Sequence, residues 1–246
     1  MISGIKAIFR TRLPVFYRGL QSVYYSLRKL GETGPLGGVL NRVGWILKHS
    51  IGSRDGFDQT SSAMPHRYHI VDHVASLGPP ENILEIGCGY GANLVNLANY
   101  FTDTQLAGVD VSRTAIASAQ TVPKLAGADL RVHDLGKPLP FADNSFDVVL
   151  SDAVLMFFPE RRLPALLREL FRVSRHGVIL HEYNVEGQGG SVYAEGRWIH
   201  DFRHECLGVM PNLAIETVQT PFAGGLWSTH GKFLLIRKPG SEVSCR

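Results

Sequence analysis

From Asn82 onward the chain alternates short apolar runs of β type with stretches whose apolar residues recur at helical spacing. The runs predicted as strands are Asn82–Ile86, Gln105–Asp110, Asp129–His133, Phe146–Ser151, Gly177–Glu182, Ala214–Thr220 and Lys232–Arg237. Helical stretches fill the intervals between the first five. The clearest is Glu160–Ser174, where Leu163, Leu166, Leu167, Leu170 and Phe171 follow i, i+3, i+4, i+7, i+8 and arginines occupy the other faces. Such a stripe is a core face. Alternating strands and helices predict an α/β fold with a doubly wound, mostly parallel seven-stranded sheet. The last two strands have no helical pattern between them, only Pro221 to Gly231, so they are expected to pair antiparallel as a hairpin, leaving an antiparallel C-terminal strand.

Composition changes this picture little. A chain of 246 residues, 44% of them apolar, can bury a full core. No apolar stretch reaches the roughly 18 residues of a membrane-spanning helix. Cys88, Cys206 and Cys245 lie far apart, with no spacing that suggests zinc, and a reducing cytoplasmic location is expected.

Charge adds a boundary. Residues 1–50 hold eight of the 25 Lys/Arg and one of the 22 acids, so the remaining residues carry 17 basic and 21 acidic groups. Two regions follow: a basic, partly helical N-terminal arm or lid over residues 1–50, and a mildly acidic body over residues 51–246. Within the arm Ile5, Phe9, Leu13 and Phe16 recur at helical spacing, and Gly31 to Gly38 reads as a flexible link. The arm suits peripheral contact with an anionic membrane, capture of a phosphate-bearing substrate, an organelle transit peptide, or simple packing of its apolar face on the body. It lacks the features of a secretory signal.

The segment richest in chemistry is Ile83-Leu84-Glu85-Ile86-Gly87-Cys88-Gly89-Tyr90-Gly91-Ala92-Asn93, a buried strand running into glycines and then a helix. Residues without Cβ let a ligand approach the main chain at the carboxyl edge of the sheet. Asp110 ends the next strand 19 residues after Gly91, where a carboxylate can accept from both ribose hydroxyls or, alternatively, cap the following helix. Asp134 closes the third strand 24 residues later, placed to accept from an adenine amine beside the Leu135 backbone.

E-x-G-x-G-x-G followed by acids ending the second and third strands resembles the class I S-adenosylmethionine-dependent methyltransferases. The run Leu139 to Ser151 is similar to that family's approach to its fourth strand, and the terminal hairpin fits its antiparallel final strand. The resemblance covers roughly Tyr68 to Lys238. It implies a Rossmann-like methyltransferase fold and S-adenosyl-L-methionine as cofactor. It also implies a methionine pocket of Glu85, Gly87, Cys88, Gly89 and Gly91, a ribose held by Asp110 with Val111, adenine at Asp134 and Leu135, and Ser151 as the floor beneath the methionine. The implied reaction is an in-line displacement on the sulfonium methyl, in which positioning, worth about 7–11 kcal/mol, outweighs any one side chain.

Candidates for a catalytic base are His181, ending the fifth strand on the pocket edge, and Asp152, after the fourth. His181 suits either that role or a buried bond to a loop carbonyl. No metal is assigned, although Asp152 with Glu182 or Asn184 is an oxygen-rich arrangement of the kind some O-methyltransferases use. Tyr193, Arg197, Trp198, His200 and His204 are candidates for the acceptor pocket, with a buried helix stripe of Trp198, Phe202 and Leu207 as the competing reading. Gly187 to Ser191 reads as a mobile loop.

The expected partner is a small-molecule acceptor: a sugar, a lipid-linked intermediate or a secondary metabolite, methylated on oxygen or nitrogen. A nucleic-acid or protein methyltransferase using the arm for binding is the alternative, but Ser151-Asp152-Ala153-Val154 stands where amino-group base methylation calls for an Asn/Asp-Pro-Pro-Tyr tetrapeptide. A nicotinamide-dependent oxidoreductase also satisfies Gly87-x-Gly89-x-x-Ala92, yet the second acid and the hairpin argue against it.

Overall fold

The computed structural model describes residues 64–194, 196–221 and 224–240. The basic arm, its glycine link and Cys245 lie outside the described residues. Helix α1 (Pro65–Ser76) begins with a proline, which suits the first turn because that N–H has no intrahelical partner. There follow β1 (Asn82–Ile86), α2 (Ala92–Tyr100), β2 (Gln105–Asp110), α3 (Arg113–Ala119), β3 (Asp129–Val132), β4 (Phe146–Asp152), α4 (Leu163–Val173) and β5 (Ser174–Tyr183). The chain continues through a small hairpin, β6 (Val192–Ala194) with β7 (Arg197–Ile199), then α5 (Phe202–Val209), β8 (Ala214–Gln219), α6 (Gly225–His230) and β9 (Gly231–Arg237).

The seven-stranded sheet has the order β3-β2-β1-β4-β5-β9-β8. Strands β1 to β5 are mutually parallel, and β9 runs antiparallel to both β5 and β8. The predicted doubly wound sheet and its antiparallel final strand are therefore present. Because the order reverses between β1 and β4, their carboxyl ends diverge there and open a crevice, the place where such sheets bind ligands.

Each central strand is buried on both faces, which is why its sequence is continuously apolar. Ile83, Val148 and Leu150 point to a layer with Ile70, Val74 and Leu94, while Leu84 and Val149 point to the opposite layer with Leu166, Leu167 and Phe171. The apolar stripe of α4 is core, as its periodicity predicts.

Several strand ends shift by a residue, and three larger features differ from the sequence expectation. Glu160–Arg162 form a 3-10 turn and the α-helix starts only at Leu163, because Pro164 is tolerated in a first turn but not in a helix interior. Strand β5 starts at Ser174, which pairs with Phe146 across an irregularity in register. The β8–β9 connection carries the short helix α6, whose half-buried Leu226 and Trp227 pack beside Met156, Tyr183 and Ile199. Its single turn and a half is too short to show a period. No described helix is long and apolar enough to cross a membrane.

Leu167 is fully buried in α4. Leu167→Ala is expected to cost about 2–5 kcal/mol of stability, and the exposed neighbour Arg168→Ala less than about 0.5, when denaturant midpoints are compared with the parent.

Candidate active site

The glycine loop follows β1 directly. Gly87, Gly89 and Gly91 all have positive φ, at 65°, 54° and 80°. At Gly91 a Cβ would lie 2.6 Å from Leu125 Cδ1, so the residue is fixed by packing as well as by dihedral. At Gly89 a Cβ would meet nothing within 4 Å, so the loop backbone there faces open space on the crevice side. Cys88 donates its N–H to the Val109 carbonyl, while its side chain is buried against Gly108. Burial pushes its thiol upward, so Cys88 contributes backbone geometry and packing, not a reactive sulfur.

Asp110, at the end of β2, is buried and accepts from Gly89 N (3.1 Å) and Ser112 N (2.7 Å). It ties the glycine loop to the adjacent strand end. The cap of α3 is Ser112, which accepts from Ala115 N, so the cap role open to Asp110 falls to its neighbour. Val111 is half-buried in the same turn. Asp134 lies two residues beyond β3, half-buried, and accepts from Gly136 N (3.0 Å), with Leu135 beside it packed against the core.

Glu85 is buried within β1. Its Oε1 accepts from Asn93 Nδ2 (2.7 Å), whereas Oε2 has no hydrogen-bond partner among the described residues. Burial raises this carboxyl to about 8, with the Asn93 bond opposing the shift. An unpartnered oxygen on a buried carboxylate at the switch point is what a cationic ligand group would satisfy. Together with the open loop backbone and Asp110, it fits the amino-acid end and ribose of an adenosyl cofactor.

A polar network extends from Glu85 across the sheet. Asn93 Nδ2 also donates to Asp152 Oδ2 (3.0 Å), and Arg67 Nη1 donates to both Asn93 Oδ1 (2.5 Å) and Asp152 Oδ2 (3.3 Å). His66 Nε2 lies 3.4 Å from Asp152 Oδ2, and His181 Nδ1 lies 2.7 Å from Asp152 Oδ1. Burial alone would push Asp152 up, but His181, His66 and the Arg67 guanidinium hold it well below the usual carboxylate range. With Asp152 ionised, His181 Nδ1–H donates to it and Nε2 faces Thr220 Oγ1 at 3.1 Å. The imidazole is stacked against Phe233 (4.2 Å), Trp227 (4.5 Å) and His66 (5.0 Å). Burial lowers its pKa, so it is disposed to be neutral.

Sequence reasoning brought Asp152 and His181 to this rim but missed His66, Arg67, Asn93 and Thr220. His66-Arg67 directly after Pro65 at a helix start, and Asn93 two residues past the glycine loop, were the available signals. The oxygen-rich cation arrangement is corrected: Glu182 is fully engaged, accepting from Ser151 Oγ and the backbone N–H groups of Val154, Leu155 and Met156. Asn184 Oδ1 accepts from Phe202 N. Ser151 is therefore a buried brace between β4 and Glu182.

The acceptor-side candidates divide. Tyr193 and Trp198 face each other across the β6–β7 pair with ring centroids 5.1 Å apart, and the Tyr193 hydroxyl is buried without a hydrogen-bond partner among the described residues. Arg197 sits on the same hairpin. His200 is fully buried, with Nδ1 2.7 Å from Ser191 Oγ and Nε2 3.2 Å from the Leu155 carbonyl. Burial pushes its pKa down to about 4, so it anchors the hairpin as a neutral ring. His204 is exposed on α5 and is not gathered with the others. The helix stripe is also corrected: Trp198 is in a strand, Phe202 is buried in α5, and Leu207 is 36% exposed. The loop read as mobile is pinned by Asp201 Oδ2, which accepts from Gln188 N and Gly189 N.

The family model described as a methyltransferase domain matches residues 83–177. The phthiotriol/phenolphthiotriol dimycocerosates methyltransferase of Mycobacterium tuberculosis is 31% identical over 120 residues, covering 49% of this chain and 43% of that protein. Norajmaline N-methyltransferase of Rauvolfia serpentina is 32% identical over 101 residues, covering 40% of this chain and 34% of its own length. The chain thus spans less than half the length of these curated relatives. The structure of magnesium protoporphyrin IX methyltransferase from Synechocystis PCC 6803 with bound SAM superposes with a TM-score of 0.54 at 17% identity, over 96% of both chains, which is a likeness of fold. Residues 83–177 thus match a methyltransferase domain, and the sheet that carries them has the fold of this solved methyltransferase.

Proposed function

We propose that this protein transfers the methyl group of S-adenosylmethionine to an oxygen or nitrogen of a small molecule. The observation that carries the reading is the buried, unpartnered Oε2 of Glu85 beside the open backbone of Gly89 and the loop-bracing Asp110. Glu85 with Gly87, Gly89 and Gly91 would receive the methionine end, Asp110 and Val111 the ribose, and Asp134 with Leu135 the adenine. The cofactor supplies, when bound, a methyl group already activated by the sulfonium charge.

The chain's own work is orientation and proton handling. Ser151 and Glu182 brace the turn after β4, which forms the floor of the crevice. Asp152 holds the His181 ring in one orientation, so that Nε2 can take up a proton from the acceptor through the Thr220 hydroxyl as the methyl arrives. The hairpin aromatics Tyr193 and Trp198, with Arg197, form the acceptor side. Relatives named as methyltransferases of norajmaline and of phthiotriol or phenolphthiotriol dimycocerosates support a small-molecule acceptor.

Three outcomes are expected. Calorimetry on the full chain should show heat with S-adenosylmethionine and none with NAD; Asp110→Ala should weaken the affinity at least about tenfold, and uptake of NAD alone would overturn the reading. Incubation with labelled S-adenosylmethionine and fractionated metabolites should yield a product carrying one methyl in place of one hydrogen. In that assay His181→Ala should lower turnover at least about tenfold while sparing cofactor affinity, and unchanged turnover would remove His181 from the mechanism.

The third concerns pH. The folded state holds the Glu85 proton up to about 8 against an ordinary value of 4.5. Its contribution to stability is complete below pH 4.5 and is lost as pH rises through 8. Glu85→Gln should therefore flatten the fall in stability across that window by up to about one proton, measured as denaturant midpoints against pH.

A further inference from the structure

We propose that His66, Asp152 and His181 form a binding site for one divalent transition-metal ion of the zinc class. The three side chains come from α1, the end of β4 and β5. One donor atom of each lies within 4.8 Å of the others, and no other such cluster occurs among the described residues. All three are inside the fold, with side chains 9%, 7% and 1% exposed.

The separations suit a metal. Ligand atoms at 2.0–2.2 Å from a tetrahedral ion stand roughly 3.3–3.5 Å apart. His66 Nε2 and Asp152 Oδ2 are 3.4 Å apart. His181 Nδ1 and Asp152 Oδ1, at 2.7 Å, are joined by a proton. Replacing that proton by an ion requires the pair to open by about 0.6 Å, well within side-chain adjustment.

The surroundings match what a ligand set needs. A metal-bound imidazole ordinarily donates its second ring N–H to an oxygen, and His181 Nε2 has Thr220 Oγ1 at 3.1 Å for that purpose. The ligating carboxylate presents Oδ2 to His66 and Oδ1 to His181, and its Oδ2 is itself hydrogen-bonded by Asn93 Nδ2 and Arg67 Nη1. Phe233 and Trp227 cover the ring and exclude water. Two imidazoles with one carboxylate select zinc, cobalt or iron over magnesium, and three protein ligands leave a fourth position open. In the methyl-transfer reading, the metal-bound form would replace the His181–Asp152 proton acceptor, the ion polarising an acceptor oxygen at that position instead. The binding site itself does not depend on that reading.

The test uses the full, untagged chain, stripped of metal with a chelator and titrated with Co²⁺ by visible absorption and with Zn²⁺ by calorimetry, with Mg²⁺ as control. The expected result is one equivalent of Co²⁺ with a tetrahedral absorption band, matching Zn²⁺ uptake and no Mg²⁺ uptake. His66→Gln should abolish the band, and Thr220→Val should weaken binding about 10–100-fold, circular dichroism confirming that both variants fold. Absence of uptake by the parent, uptake unchanged in His66→Gln, or selection of Mg²⁺ would overturn the site. Heat with S-adenosylmethionine in the metal-free protein separates the two proposals, since it tests cofactor binding alone.

Discussion

The site is organised by one buried carboxylate. Asp152 stands at the end of β4, beside the point where the sheet order reverses, and receives Arg67 and His66 from α1, Asn93 from α2 and His181 from β5. An ionised carboxylate removed from water is costly unless several donors satisfy it. Here the donors come from two helices and a strand far apart in sequence, so Asp152 can remain charged only when all of those elements are docked. The charge that shapes the crevice is thereby tied to completion of the fold.

The same requirement explains why Asn93 is shared. Its amide nitrogen bridges Glu85 and Asp152, two carboxyls that would otherwise repel in a low-dielectric setting. Their surroundings drive them apart: burial pushes Glu85 up to about 8, while His181, His66 and Arg67 hold Asp152 well below the usual range against the same burial. One buried charge and one proton-bearing neighbour share a single amide. A cation arriving at Glu85 would shift that balance by favouring its ionised form.

Local spacing made half of this legible. Glu85, Gly87, Gly89, Gly91, Asp110 and Asp134 are readable because each sits at a fixed offset from a strand end, and a parallel sheet collects strand ends along one edge. His181 and Asp152 are readable for the same reason. His66, Arg67 and Thr220 are not, since their roles depend on how α1 and the end of β8 lie against the sheet, and no periodicity encodes that. The acceptor side was harder still. Tyr193 and Trp198 form a three-residue strand pair, shorter than any window in which alternation can be seen, and His200 became a structural anchor because its ring meets Ser191 and the Leu155 carbonyl.

A charged neighbour, not burial, then separates the two buried histidines. His200 has both ring nitrogens engaged by groups that stay neutral, and desolvation takes its pKa to about 4, so it can only brace. His181 is equally buried but faces a carboxylate on one nitrogen and a hydroxyl on the other. A neutral imidazole between an anion and a neutral donor can gain a positive charge, whether a proton or a metal ion, without leaving that charge unpaired. Two rings of the same chemistry, about equally hidden from solvent, are thus assigned opposite work by whether one charged oxygen lies within hydrogen-bond reach.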